Sequence, residues 1–517
     1  MVNRHSTLTK AAPGTARQRN GARGLLLGFG LIYALVSLVN HYLMRTAAFD
    51  LGIATHALRS YAHLRAHYVT ELLDTPATNF LSSNLHFALV PLLVSPLYWL
   101  LGSWTLLVVQ IAAVLWGGWG VHVFARARGA SYGQANVLMA FFFSSWGIYS
   151  ALGYDYHDNV VGAMAVPWLV HWFEQRRWGR ALLAFGLLLV SKENLALWAA
   201  AIMLGLAWKH WRTRPLLLVA VLGAVAALAY FAVITKLVMP GLSATHQQLT
   251  QIQRYQHLGG SLEAAVLNVA THPTLLWQCL FENITADPNY NYIKAELWAV
   301  LLLSGGLALA LRPWYALMLA PILAQKLLAN DYGLWGINAQ YSIEFAPVLA
   351  LAVTELGLQL RQGPPRQRYY AASLALAGLA TVVTLYTRQS KWYQRETTNF
   401  LLAKHYRSTQ GLDVRRLRRA LDELPAEVPL SAQANLAPWL INRDRLYHFP
   451  VLRDAQLVAL LKTDKLPWPL APEAYLQAQQ QLRTRGDFRV RYEDDQLLVL
   501  ERTRPPAQPD EVLPFKL

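Results

Sequence analysis

The chain has 517 residues, of which 54% are hydrophobic and only 15% charged, whereas soluble domains carry about 25% charged residues. Its net charge of +16 is spread over loops, the N-terminal tail and the C-terminal region. That distribution fits membrane topology and anionic lipid, not nucleic acid, and the single Cys279 excludes an intrachain disulfide and a cysteine-based zinc site.

The first 23 residues hold Arg4, Lys10, Arg17, Arg19 and Arg23, and Gly24 to Met44 is almost wholly apolar. Ala47 and Ala48 could follow a signal peptide, but this apolar run exceeds the roughly 7–15 residues of a signal core. An uncleaved first span is expected. A long outer loop, 45–102, comes next. Within it, residues 51–65 repeat apolar positions (Ile53, Ala54, Ala57, Leu58, Tyr61, Leu64) at helical spacing. His86 to Leu101 is apolar but short, and Pro91 and Pro96 interrupt it. Counting it as a span would put the later basic loops outside, so a partly embedded helix at the outer surface is expected there.

Further spans are expected at 103–125, 132–152, 159–173, 179–191, 194–208, 215–238, 296–311, 314–329, 342–359 and 369–387, about eleven in all. A second large outer loop covers 239–295. Arg126 and Arg128, Arg176, Arg177 and Arg180, Lys209, Arg212 and Arg214, Arg312, and Arg361, Arg366 and Arg368 all fall on one side. The Lys/Arg bias makes that side cytoplasmic. The short opposite loops 153–158 and 330–341 hold no Lys or Arg.

The expected fold is therefore mainly α: a polytopic transmembrane helical bundle with outer-surface helices and a small C-terminal α/β extracytoplasmic domain. The parts are a basic cytoplasmic tail (1–23), the transmembrane domain (24–390) and the soluble domain (391–517). The last predicts a basic amphipathic helix over 413–424, a strand over Glu427 to Leu430, and a helix capped by Ser431 running to about Ile441. Strands follow at Arg445 to Phe449 and Leu457 to Leu461, then a helix from Pro472 to Arg485. Phe488 to Tyr492 and Gln496 to Glu501 alternate as a hairpin.

Asp50 lies just past the first span. It suits a helix N-cap, and equally a general base at the membrane surface that takes a proton from an acceptor hydroxyl. Tyr154-Asp155-Tyr156-His157-Asp158 is the densest polar cluster of the short outer loops. Asp155, His157 and Asp158 have the donor types for a divalent Mg or Mn ion, while a solvated turn with Asp158 capping the next helix is the plainer alternative. Lys192 and Glu193 separate two apolar stretches, where charge is expensive and usually functional. Either they pair with each other, or Lys192 binds a phosphate and Glu193 orients a substrate or ion. Lys236, Glu296, Gln325, Lys326, Gln340, Tyr341 and Glu344 share the outer-side bias, as an outward-open cavity would produce. Glu355, near an inner end, is the exception.

At Phe49-Asp50-Leu51-Gly52, His86-Phe87, Asp155-Tyr156-His157, Lys192-Glu193-Asn194 and Gln340-Tyr341, the chain resembles a bacterial family of multi-pass proteins with a domain-of-unknown-function label. That family is similar to the GT-C glycosyltransferases. The resemblance extends to Ser431-Ala432-Gln433-Ala434-Asn435-Leu436 and to the stretch from Arg443 to Pro450. Members more often carry Asp where Asn194 stands and Ser-Pro in place of Ala88-Leu89.

The resemblance implies an inverting transferase that moves sugar from a polyprenyl-phosphate donor to a glycan, lipid or protein acceptor at the outer face of the plasma membrane. It implies Asp50 and Asp155 as catalytic acids of the first two outer loops. Lys192, Glu193, His157, His86, Tyr341 and Gln340 would bind substrate or phosphate. It leaves metal dependence open and implies no other cofactor. The lipid bilayer is the remaining partner, and nucleic acid is not expected. Two other classes stay open: a transporter or lipid-carrier flippase, which would favour midplane polar residues and inverted repeats, and a non-catalytic envelope assembly protein working through its soluble domain.

Overall fold

The computed structural model describes residues 15–65, 86–242, 250–387, 411–462, 467–505 and 513. Residues 1–14 of the basic tail, 66–85 and the junction 388–410 lie outside the described residues.

Helix formation begins before the first apolar run. Thr15 Oγ1 accepts from Gln18 N, and Gln18 Oε1 accepts from Thr15 N, a reciprocal box that satisfies the first free amides. Helix α1 (Ala16–Tyr42) therefore includes the last part of the basic tail, from Ala16 on. After it come α2 (Ile53–Ala62) and, beyond the short turns of 90–104, α3 (Thr105–Ala127). Next are α4 (Tyr132–Phe143), α5 (Trp146–Leu152), α6 (Asp158–Ala163) and α7 (Val166–Glu174). The chain continues through α8 (Trp178–Ser191), α9 (Leu195–Lys209), α10 (Arg214–Val233) and α11 (Ile293–Leu301). The last apolar helices are α12 (Pro313–Leu327), α13 (Phe345–Gln359) and α14 (Pro364–Thr387).

Every segment expected to span is helical. Four stretches, Ala16–Tyr42, Val90–Ala127, Arg214–Leu242 and Pro288–Leu311, are each long and apolar enough to cross a bilayer. The pair α4 and α5, bent by 47°, makes up to a fifth. Length and composition thus account for four or five of the eleven spans expected. Apart from α14, which has 24 residues, the remaining apolar helices are shorter, because polar turns such as 153–157 and 192–194 break the apolar runs. Residues 86–104 form no helix of their own that could cross. Val90–Val94, Ser95–Leu97 and Tyr98–Leu101 are consecutive short turns. Val90 and Tyr98 pack on Leu51, Ala54 and Leu58, while Leu93, Trp99 and Leu100 stay exposed.

Lipid is as apolar as leucine, so close packing rather than water exclusion holds such helices together. Tyr33, Phe141, Phe142, Phe143, Trp146, Trp198 and Tyr315 fill the centre. Glycines allow the nearest approaches. A Cβ on Gly118 would strike the Phe143 ring, and one on Gly147 would strike the Ser342 carbonyl. The second contact seats α5 against the segment carrying Gln340, Tyr341 and Glu344.

Glu355 also finds its explanation here. It binds Lys209 and lies 3.7 Å from Arg128 Nε. Glu174 binds Arg128, accepts from Lys209 Nζ at 2.6 Å and lies 3.2 Å from His210 Nε2. Two acids thereby compensate two cations where α3, α7, α9 and α13 end, which part-buried charges require.

The C-terminal part is a five-stranded sheet in the order β2-β1-β3-β5-β4. β1 (Leu430–Ala432), β2 (Leu446–His448) and β3 (Leu457–Leu461) run parallel, and β4 (Phe488–Glu493) and β5 (Leu497–Arg502) complete the sheet, with β5 antiparallel to both β3 and β4. Helices α15 (Val414–Asp422) and α16 (Pro472–Thr484) cover it. One expectation is corrected: Ser431 caps no helix. It sits inside β1 and donates to Val451 O at 2.7 Å, and only a 3-10 turn, Ala437–Trp439, stands where a helix to Ile441 was expected. The alternation of β1 is hidden because all three of its residues are buried.

Candidate active site

Asp50 does not cap a helix. It lies inside a single π-turn, Ala48–Gly52, that runs into α2. Such turns are uncommon and concentrate at functional sites. The extra residue turns the Asp50 carboxylate toward the 153–157 loop, where His157 Nε2 lies 3.2 Å from Asp50 Oδ1. The two groups are near enough to pair electrostatically, yet neither imidazole nitrogen makes a hydrogen bond within the described residues. Tyr154 stacks on the His157 ring at 5.7 Å.

Asp155 is buried and adopts φ +61°, a left-handed conformation that Asp tolerates better than most residues. Its Oδ2 accepts from Ala47 N at 2.8 Å, tying the loop to the approach of the π-turn. Burial and the nearby Asp50 charge push the Asp155 carboxyl well above its ordinary range, against the Ala47 and Leu51 amides that donate to it. Asp158 is also raised, to about 6, chiefly by burial and in spite of the Tyr156 hydroxyl that donates to its Oδ1 at 2.7 Å.

Gln110, fully buried in α3, clamps this loop from behind. Its Nε2 donates to Asp155 O and its Oε1 accepts from His157 N, both at 2.9 Å. Sequence reasoning missed it. The available signal was an amide in the first third of a mostly apolar span.

A small cavity is lined by Lys192, Asn159, Asn194, Gln325, Lys326, Tyr341 and Glu344 among others. Lys192 is 8% exposed, and its ammonium forms no hydrogen bond or ion pair among the described residues. Burial pulls its pKa down, and the carboxylates of Glu193, Glu344, Asp158 and Asp50 oppose that shift. Asn159 Nδ2 donates to Glu344 Oε1 at 2.8 Å. Asn159 Oδ1, Asn194 Oδ1 and Glu344 Oε2 are buried without a hydrogen-bond partner among the described residues. Native proteins pair almost all such atoms, so their gathering on one cavity marks it as a place for a polar guest. Lys326 is different: it is satisfied by Gly336 O at 2.8 Å and Tyr341 O at 2.9 Å, and so holds the cavity wall.

The candidate residues thus divide. Asp50 and His157 meet at the π-turn, Asp155 is tied to Ala47 beside it, and Lys192 and Tyr341 face the cavity. Glu193 does neither, nor does it pair with Lys192. Its oxygens accept from His86 Nδ1 at 2.7 Å and Phe87 N at 2.9 Å, anchoring the return of the chain toward Val90. Gln340 supplies its carbonyl to Asn159 at 3.4 Å. The metal set expected from Asp155, His157 and Asp158 is not assembled. The first is turned to Ala47, the second to Asp50 and the third to Tyr156, and no group of three metal-ligating side chains converges among the described residues. These donors do not fit a resident divalent ion.

The C-terminal sheet is seated directly on the π-turn. Ala48 N donates to Ala434 O at 2.8 Å, Asn435 Nδ2 donates to Met44 O at 2.9 Å, and His56 Nε2 lies 3.0 Å from Arg443 O. Trp468 meets Phe49 edge-on at 4.8 Å and stacks on His448.

Comparison with curated proteins returned no match. Among solved structures, the chain is similar to the oligosaccharyltransferase of Archaeoglobus fulgidus in its apo form, with 10% identity and a TM-score of 0.45. That likeness covers 84% of this chain, which spans only 65% of the archaeal one. It is also similar to ArnT from Cupriavidus metallidurans in the apo state, with 12% identity, 92% and 98% of the two chains covered and a TM-score of 0.45. A family model described as a predicted membrane protein matches residues 40–499, and by that match the chain belongs to the DUF2079 family of membrane proteins.

Proposed function

We propose that this membrane protein is a glycosyltransferase that moves a sugar from a polyprenyl-phosphate donor to an acceptor hydroxyl at the outer face of the plasma membrane. The observation that carries the proposal is Lys192: a buried cation without a hydrogen bond among the described residues, on a polar cavity whose surrounding charge includes Asp50. The cation suits a leaving phosphate, and the carboxylate suits a general base. The motif order shared with GT-C-like sequences agrees with this division.

Asp50 takes the proton of the acceptor hydroxyl as its oxygen bonds to the anomeric carbon. The bond from that carbon to the phosphate oxygen breaks, and the electron pair leaves with the phosphate. Lys192 stabilises the charge that develops there, and such stabilisation is often what lowers the barrier most. His157 holds Asp50 in place, and Asp155 fixes the loop that carries His157. Inversion follows from a single displacement. In this proposal residues 1–23 are cytoplasmic, 24–390 form the membrane domain and 391–517 an outer domain that helps select the acceptor.

The test uses membranes holding the full chain, supplied with polyprenyl-phosphate sugars. Asp50→Asn abolishes transfer by removing a contribution of about 10²–10⁴-fold, with protein levels unchanged. Retained transfer in that variant rejects Asp50 as the base. Cysteine labelling that finds position 50 and the tail beyond 391 on opposite faces of the bilayer rejects the topology.

A further inference from the structure

The second large outer loop carries one more cation, Arg254, whose neighbour Tyr255 is anchored on the wall of the Lys192 cavity. Residues Thr250–Leu258 form a 3-10 stretch beside the end of α12. Tyr255 donates its hydroxyl hydrogen to Gln325 O at 2.9 Å, and Asn330 N donates to Arg254 O at 2.7 Å. Gln325 lines the cavity, so the Tyr255 anchor adjoins it.

Arg254 Nε lies 3.2 Å from Asp331 Oδ2, and the two side chains are 39% and 29% exposed. Asp331 is also engaged elsewhere, since its Oδ1 accepts from Gly333 N at 2.9 Å and caps the short helix Tyr332–Trp335. The pair is half-exposed, a setting in which ion pairs contribute little to stability. Arginine binds phosphate through two parallel hydrogen bonds, a stronger arrangement. The cavity wall reports the same neighbourhood. Burial raises the Tyr341 hydroxyl pKa, Arg254 opposes the rise, and Asp50 and Asp331 add to it. Arg254 is therefore within electrostatic reach of a side chain that also senses the proposed base.

We propose that Arg254 is a second phosphate-binding residue of this cavity, exchanging its contact with Asp331 for the oxygens of a phosphate ester held jointly with Lys192. The ligand chemistry is a phosphate group, carried on a polyprenyl lipid or free. This rests on the Lys192 cavity being a phosphate site. Asp331 is then the competitor that parks the guanidinium until the anion arrives.

The experiment measures binding of undecaprenyl phosphate and, separately, of inorganic phosphate to the purified full-length chain in nanodiscs. The variants are Arg254→Gln, Arg254→Lys and Asp331→Asn. Asparagine keeps an oxygen for the Gly333 amide and removes only the competing charge, so the cap survives. The expected result is at least a tenfold loss of undecaprenyl phosphate affinity in Arg254→Gln, partial recovery in Arg254→Lys, and equal or tighter binding in Asp331→Asn. A loss confined to inorganic phosphate assigns free phosphate as the ligand. Unchanged affinity in Arg254→Gln overturns the proposal, as does equal weakening by Arg254→Gln and Asp331→Asn, which would make the pair a structural latch. A native chain that binds neither phosphate overturns the function reading as well, whereas loss on Lys192→Gln without loss on Arg254→Gln overturns the role of Arg254 alone.

Discussion

Replacing Gln110 by Leu tests whether the 153–157 loop owes its shape to one amide. Leucine nearly matches the volume and suits the helix, so α3 itself is undisturbed. Two hydrogen bonds of 2.9 Å vanish, however, and Asp155 O and His157 N lose their partner inside a fully buried setting. Each orphaned backbone group costs about 1–3 kcal/mol, which sums to about 2–6 kcal/mol. The loop lacks regular secondary structure and relieves this by moving. Movement draws His157 away from Asp50 and Asp155 away from Ala47. Every 1.4 kcal/mol lost from the transition state slows a reaction about tenfold. Sugar transfer in proteoliposomes is therefore expected to fall by about ten- to a hundredfold, with the protein still inserted and helical. Hydrogen exchange supplies a readout independent of activity: amides of 153–157 exchange faster while those of α3 keep their protection. Native transfer together with native exchange in Gln110→Leu would refute the clamp.

Asp158 gives a pH signature. Its folded pKa, about 6, exceeds the ordinary 3.8. Between these values the folded chain binds more protons than the unfolded one, so stability falls as pH rises from about 4 to about 6 and then levels off. Melting curves of Asp158→Asn should lack this share of the decline. Lys209→Met leaves Glu174 and Glu355 undercompensated and is expected to cost about 3–5 kcal/mol. Adding Glu355→Gln should recover part of the loss in detergent melting, and failure to do so would show that the cluster does not act through charge balance. Gly147→Ala drives a methyl into the Ser342 carbonyl. About 1–3 kcal/mol of overpacking is expected, with transfer reduced more than melting because the displaced segment carries Tyr341 and Glu344.

The helical segments were legible because apolar runs bounded by Arg and Lys survive every detail of tertiary packing. The hairpin of β4 and β5 was legible for the same reason, through alternation around Glu493-Asp494-Asp495. What failed depended on partners far away in sequence. Ser431 has the side chain of a cap, and only the sheet decides that it bonds Val451 instead. Asp50 looks like a cap until a π-turn, which has no sequence signature, rotates it toward His157. Lys192 and Glu193 suggested a mutual pair, but Glu193 is claimed by residues 86 and 87, more than a hundred positions away. Gln110 was passed over because one amide barely lowers the hydropathy of a long span. Glu355 was correctly seen as out of place, and its reason, the cluster with Arg128 and Lys209, is wholly tertiary.

The seam in which Ala48 bonds Ala434 and Asn435 bonds Met44 ties two stretches of chain together across nearly four hundred positions. Whoever swaps C-terminal domains between members of this family must therefore transplant two ribbons at once, 44–62 and 430–445, because a graft of either one alone would leave the turn bearing position 50 without its splint.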